Sequence, residues 1–214
     1  MKYLFLLGAS LLVASPAHAQ FGLRAGGNLL RLALADDTLS ASSRLGYQVG
    51  LFYQIPLSQR WSLVPEVQFS REREQISSSL DRLEIKYQVR FSYLNLPVLA
   101  RFTMGSVYVE AGPQFSWLVG GRGEGATTFD NTTISQIGQA TTDVYRRFNA
   151  GPCLGLGVKL PAGLDLSVRA YQGLGNSIRQ DKFLSNDTPF PYQGRSSQHR
   201  QTLQVSLAYQ IAKQ

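Results

Sequence analysis

The sequence predicts an all-β fold, an up-and-down barrel of eight antiparallel strands closed within a membrane. Three observations lead there. Apolar residues recur with a period of two in about eight segments, the connections between those segments alternate between short and long, and the charged residues of each segment keep to one face. No stretch past residue 19 approaches the roughly 20 apolar residues of a membrane-spanning helix.

The chain opens with Lys2, an apolar run from Tyr3 to Val13, then Pro16 and Ala17-His18-Ala19. A positive residue, a short apolar core and small residues before a cleavage point make residues 1–19 a secretory signal peptide, and residues 20–214 the barrel domain. One cysteine, Cys153, excludes an internal disulfide, so the exported domain must be held together by other means. The formal net charge of +7 suits anionic lipid headgroups better than nucleic acid in an exported protein.

Each element follows from its alternation. Leu45, Tyr47, Val49, Leu51, Tyr53 and Ile55 oppose Gly46, Gln48, Gly50, Phe52 and Gln54. Trp61, Leu63, Pro65, Val67 and Phe69 oppose Ser62, Val64, Glu66, Gln68 and Ser70. Val107, Val109, Ala111, Pro113, Phe115 and Trp117 oppose Tyr108, Glu110, Gly112, Gln114 and Ser116. Near the C-terminus Leu203, Val205, Leu207, Tyr209 and Ile211 alternate with Gln204, Ser206, Ala208 and Gln210. Such segments match the roughly 9 to 11 residues that a tilted strand needs to cross a bilayer.

One segment conflicts with itself. The outward parity of Leu94, Leu96, Val98, Ala100 and Phe102 continues to Ser92, Arg90 and Gln88, whereas Val89, Phe91 and Tyr93 fall on the inward side. Either a β-bulge near Ser92 to Leu94 resets the faces, or the strand has already left the membrane; the second fits better, since Leu94 to Phe102 is long enough to span.

Short links are expected at Pro56 to Arg60, Met104 to Ser106 and Pro161 to Gly163. Long polar loops are expected at Ala33 to Ser43, Ile76 to Leu83, Gly121 to Val144 and Arg179 to Arg200. Short periplasmic turns alternating with long extracellular loops place both termini on the periplasmic side. Aromatic girdles at the two interfaces would draw on Tyr53, Trp61, Phe102, Phe115, Trp117, Phe148 and Tyr209. The chain departs from the common barrel ending on an aromatic residue; Tyr209 is the nearest substitute.

The inward parity collects Arg24, Glu66, Arg101, Glu110, Lys159, Asp165 and Arg169. In the narrow lumen of an eight-stranded barrel these charges must pair, because an unpaired one costs several kcal/mol of desolvation. Glu66 and Glu110 are expected to share Arg101 and Arg169. Glycines on the same parity, among them Gly26, Gly46, Gly112, Gly151 and Gly157, leave room for Phe52, Tyr108 and Tyr171.

The segment Tyr93-Leu94-Asn95-Leu96-Pro97-Val98-Leu99, a short turn, then Tyr108-Val109-Glu110-Ala111-Gly112-Pro113-Gln114 resembles the outer-membrane β-barrel domain family common in Bacteroidetes. That resemblance implies an eight-stranded porin-like barrel in the bacterial outer membrane, in a family mostly without known biochemical activity.

Catalysis finds little support. His199 is the one histidine past the leader, with no carboxylate spaced to orient it, and Ser196 and Ser197 beside it do not make a triad. Cys153, His199 and Asp36-Asp37 form no recognisable ligand set. Gly120-Gly121-Arg122-Gly123-Glu124-Gly125 lacks the Lys-Ser/Thr of a phosphate loop and reads as the start of a mobile loop. Neither metal nor cofactor is expected.

Basic residues cluster at the expected outer ends: Arg71, Arg73, Arg82, Arg122, Arg146, Arg147, Arg179, Lys182, Arg195 and Arg200. Arg122, Arg146 and Arg147 could clamp lipopolysaccharide phosphates; a merely solvated rim is an equal alternative. The expected function is a monomeric barrel with a structural or surface-binding role through its loops, contacting lipid, lipopolysaccharide and an extracellular partner. A small pore, or a soluble lipocalin-like carrier with its faces reversed, are the alternatives.

Overall fold

The computed structural model describes residues 20–33, 40–80, 83–129, 132–140, 145–177 and 199–211. Its strands are β1 (Gln20–Ala33), β2 (Ser40–Pro56), β3 (Trp61–Leu80), β4 (Leu83–Met104), β5 (Val107–Phe129), β6 (Thr132–Ala140), β7 (Phe148–Lys159), β8 (Leu164–Gln172) and β9 (His199–Ile211). Every pairing is antiparallel, and β1 meets β2 on one edge and β9 on the other. With β4 paired to β5 and β5 to β7, eight strands close a ring from which β6 alone is excluded. Closure leaves no edge within the wall, the condition that hydrocarbon imposes on strands.

The short links lie where the spacing places them. Residues 57–60 join β2 to β3, Gly105 turns with φ of 61° between β4 and β5, and a single 3-10 turn at Pro161–Gly163 joins β7 to β8. The expected cleavage at Ala19, Asp36-Asp37 and Arg179, Lys182 and Arg195 lie outside the described residues.

Two expected loops are instead strands. Ile76 to Leu80 extends β3, which pairs residue by residue with β4 as far as Leu80 opposite Leu83. Gly121 to Phe129 extends β5, and Thr132–Ala140 is an additional strand hydrogen-bonded to it, so the glycine-rich segment from Gly120 to Gly125 is ladder and not loop. At roughly 3.3 Å per residue, the 22 residues of β4 and the 23 of β5 run about twice as far as a membrane crossing requires. The surplus projects from the end opposite Gln20 and Ile211.

The phase conflict at Ser92 is resolved on the neighbouring strand. Residues 89, 91, 93, 95, 97 and 99 of β4 are all buried, so that strand keeps one parity throughout. Ser92 pairs with Gly120 and Tyr93 with Leu118, leaving Val119 as an extra residue in β5. This bulge resets the faces of β5, so that Arg122 points outward beside Arg90. Val89, Phe91 and Tyr93 join Leu30 and Leu118 in a small buried apolar cluster, with Tyr145 against it.

The faces divide as a barrel in lipid demands. Leu51, Val67, Val109, Leu154, Val205 and Leu207 are exposed on the wall, while Arg24, Glu66, Arg101, Glu110 and Arg169 are each at most 3% exposed inside. A soluble carrier would need the reverse, an apolar interior around its ligand, and that alternative is set aside. Inward glycines admit the bulky neighbours: a Cβ at Gly157 would overlap the Tyr108 ring, and one at Gly22 the Phe52 ring.

Candidate functional site

Inside the wall, toward the end that carries Gln20, Ile211 and the short links, six charged side chains from five strands converge. Arg24 comes from β1, Glu66 from β3, Arg101 from β4, Glu110 from β5, and Asp165 and Arg169 from β8. Strand alternation brings each to the same side, and ring closure brings residues more than a hundred positions apart into contact. Arg169 holds Glu110 at 2.6 Å through Nε and Glu66 at 2.8 Å through Nη1. Arg101 binds Glu110 at 3.1 Å and Asp165 at 3.2 Å. Arg24 lies 3.2 Å from Glu66 and donates to Ser167 Oγ at 2.6 Å.

Three guanidinium groups thus face three carboxylates, and the cluster is neutral as a whole. Aromatic faces supply further contacts: Arg101 stacks 3.9 Å from the Tyr108 ring centroid and Arg24 lies 5.4 Å from that of Phe52. Of the expected sharing, Glu110 lies between Arg101 and Arg169, whereas Glu66 takes Arg169 and Arg24. Lys159 stands apart. It is half-buried and opposite Asp165 in register, but the Asp165 carboxylate is turned to Arg101.

A second buried ion pair escaped the sequence reading. Arg200, expected on the solvated rim, is 1% exposed. Its Nε donates to Glu72 at 2.9 Å, its Nη2 also binds Glu72, and its Nη1 donates to Ser116 at 3.0 Å. The guanidinium lies 4.0 Å from the Tyr93 ring centroid. Glu72 continues the inward parity of Glu66, Gln68 and Ser70, which is the signal that could have found it.

Between the two ionic layers the lumen is lined by amides and hydroxyls. Asn95 donates to Ser70 at 2.9 Å, Gln48 to Ser206 at 2.7 Å and Gln114 to Ser116 at 3.3 Å, all buried. Charged, polar and apolar layers therefore succeed one another up the axis, with the Leu30, Phe91 and Leu118 cluster toward the outer end.

The aromatic residues fall into two groups on the outer wall. The Trp61 and Phe102 rings lie 4.9 Å apart, tilted to one another, near the short links, where Tyr53 and Tyr209 also lie. Trp117 and Phe115 lie 5.0 and 6.5 Å from Phe148 at the opposite end. Arg122 is exposed and pairs with Glu124 at 3.1 Å. Arg146 and Arg147 are exposed immediately before β7, adjoining β5 through the Leu118 amide bonded to the Arg147 carbonyl.

His199 begins β9 with a shielded Nδ1 that has no hydrogen-bond partner, and Ser196 and Ser197 lie outside the described residues. Among the described residues no cluster of three or more His, Cys, Asp or Glu side chains could hold a metal.

The sequence profile described as outer membrane protein beta-barrel domain matches residues 14–179. No curated protein sequence matches the chain. Among solved structures, the chain is similar to Ail, the attachment invasion locus protein of Yersinia pestis, crystallised with the heparin analogue sucrose octasulfate. Identity there is 10%, the TM-score is 0.45, and 91% of this chain and 99% of that one are covered. Neisserial surface protein A is similar at 11% identity and a TM-score of 0.42, covering 91% and 99%. So is the outer membrane protease OmpT of Escherichia coli, at 10% identity and a TM-score of 0.42, covering 90% and 96%.

Proposed function

The chain belongs to the outer-membrane protein β-barrel domain family, and from that premise we propose that it is a sealed barrel whose projecting strands and loops form a surface-binding platform, without catalysis. The observation that carries this reading is the neutral cluster of Arg24, Glu66, Arg101, Glu110, Asp165 and Arg169 filling one end of the lumen. An ion path would need these groups to part, and each charge left alone in so dry a site costs several kcal/mol. The Arg200 to Glu72 pair and the apolar cluster beside Phe91 close the other end.

Binding function concentrates on loops and extensions held by a rigid scaffold, and the upper halves of β3, β4 and β5 with β6 provide one. In this reading residues 1–19 are removed on export and the barrel is a monomer. The group around Trp61 and the group around Trp117 serve as the two interfacial girdles, and exposed Arg122, Arg146 and Arg147 meet lipopolysaccharide phosphates in the outer leaflet.

Planar-bilayer recording tests the seal. The refolded protein is expected to give no steady conductance. A stable open level that collapses in Glu110→Gln would replace this reading with the small pore.

A further inference from the structure

Four arginines stand in a single cross-strand line on the outer wall. Arg44 of β2 is the register partner of Arg73 on β3, Arg73 that of Arg90 on β4, and Arg90 that of Arg122 on β5. Directly opposed residues of antiparallel strands share a face, and Arg44, Arg73 and Arg122 are exposed on it. With neighbouring strands about 4.8 Å apart, the line is roughly 14 Å long.

Like charges directly opposite one another destabilise a sheet, and the described residues supply little to offset them. Glu124 pairs with Arg90 at 3.0 Å and with Arg122 at 3.1 Å, and Arg44 donates to Gln75. Arg73 has no ion-pair partner among the described residues. Arg71, one row nearer the apolar wall, has an Nε that is shielded from solvent and lacks a hydrogen-bond partner. Five cations thus face one described carboxylate.

The line is also placed at a boundary. On the same wall Phe69, Leu94 and Trp117 are cross-strand partners and are exposed; only the row of Arg71, Ser92 and Gly120 lies between them and the arginines. Four residues along a tilted strand carry the line roughly 10 Å above those apolar side chains. That height corresponds to the headgroup layer and its immediate exterior.

We propose that Arg44, Arg71, Arg73, Arg90 and Arg122 bind the phosphate groups of a phosphorylated glycolipid of the outer leaflet, whose acyl chains lie against Phe69, Leu94 and Trp117. Guanidinium forks match phosphate oxygens bidentately, and several forks in line suit a headgroup with more than one phosphate. The direct continuation into an apolar wall favours a lipid over a soluble polyanion. Glu124 holds Arg90 and Arg122 in place and competes with the ligand for them. The proposal rests on the orientation given above, with the projecting strands outside the cell.

Refolded protein in detergent, carrying Trp61→Phe so that Trp117 alone reports, is titrated with bisphosphorylated lipid A, its monophosphorylated form, heparin and inorganic phosphate. Tryptophan emission is expected to shift saturably with bisphosphorylated lipid A and less tightly with the monophosphorylated form. R73Q/R90Q is expected to weaken binding by about ten-fold or more, and E124Q to tighten it. Equal affinity of R73Q/R90Q and its parent, with the heat-modifiable barrel intact on a gel, overturns the site. Arginine-dependent binding of heparin without binding of lipid A overturns the lipid. Should R73Q/R90Q fail to refold, absence of tightening in E124Q overturns the proposal alone. Loss of this site with a silent bilayer trace leaves the sealed barrel standing; a conducting barrel that still binds lipid A through these arginines does the reverse.

Discussion

Glu110→Ala is expected to cost about 3–5 kcal/mol of folding stability, the largest effect of any single substitution considered for this barrel. The carboxylate accepts from Arg169 at 2.6 Å and from Arg101 at 3.1 and 3.2 Å, all within a fully buried site. Its removal leaves three guanidinium groups sharing Glu66 and Asp165, and a cluster that was neutral becomes positive. Nothing in the wall can retreat to water, since the strands are tied on both sides. Urea titration of the protein in lipid vesicles, followed by its heat-modifiable migration, measures the loss. A change below about 1 kcal/mol, the range of a surface pair, would mean that the lumen is wet and the cluster screened.

Leu207→Arg is expected to cost about 2–4 kcal/mol, the range found for a cation at the bilayer midplane on the lipid face of a barrel. Leu207 stands in the middle of the exposed apolar row of β9 from Leu203 to Ile211 and is 48% exposed. Its neighbours in register, Ala25 and Leu166, offer no carboxylate. The same substitution at Leu57, in an exposed link between strands, is expected to change stability by less than about 0.5 kcal/mol. The same vesicle titration compares the two, and equal costs at the two positions would contradict a lipid-facing row.

How far the sequence announces this architecture depends on where hydrocarbon acts on it. Between Trp61 and Phe69, or Leu203 and Ile211, one face must be apolar, so the period of two is unmistakable and the inward charges follow by parity. Beyond Phe69 both faces of β3 may be polar, as Arg71, Glu72, Arg73, Glu74 and Gln75 are, and the hydrophobic signal disappears although the ladder continues to Leu80. The upper half of β5, rich in glycine and threonine, hides for the same reason. Arg200 reads as a rim residue because the apolar rhythm of β9 begins at Leu203, while the strand itself begins at His199. Its partner Glu72 lies 128 positions away, a pairing that ring closure creates and that one sequence does not display. The conflict is visible on β4 whereas the extra residue, Val119, lies on β5, because an insertion on either strand shifts the pairing.

The arginine line had the same origin. Arg44, Arg73, Arg90 and Arg122 are scattered basic residues until the register places them side by side. Arg146 and Arg147, adjacent in sequence, look more like a site than these four do.

Spin labels at Leu63, Val109 and Leu207, set against one at Gln114, probe most directly the claim on which this barrel stands. The first three should collide with oxygen dissolved in lipid and be hidden from an aqueous paramagnetic quencher, while the label at Gln114 should be sheltered from both. Labels at Leu63, Val109 and Leu207 that the aqueous quencher reaches, and lipid-borne oxygen does not, would contradict it.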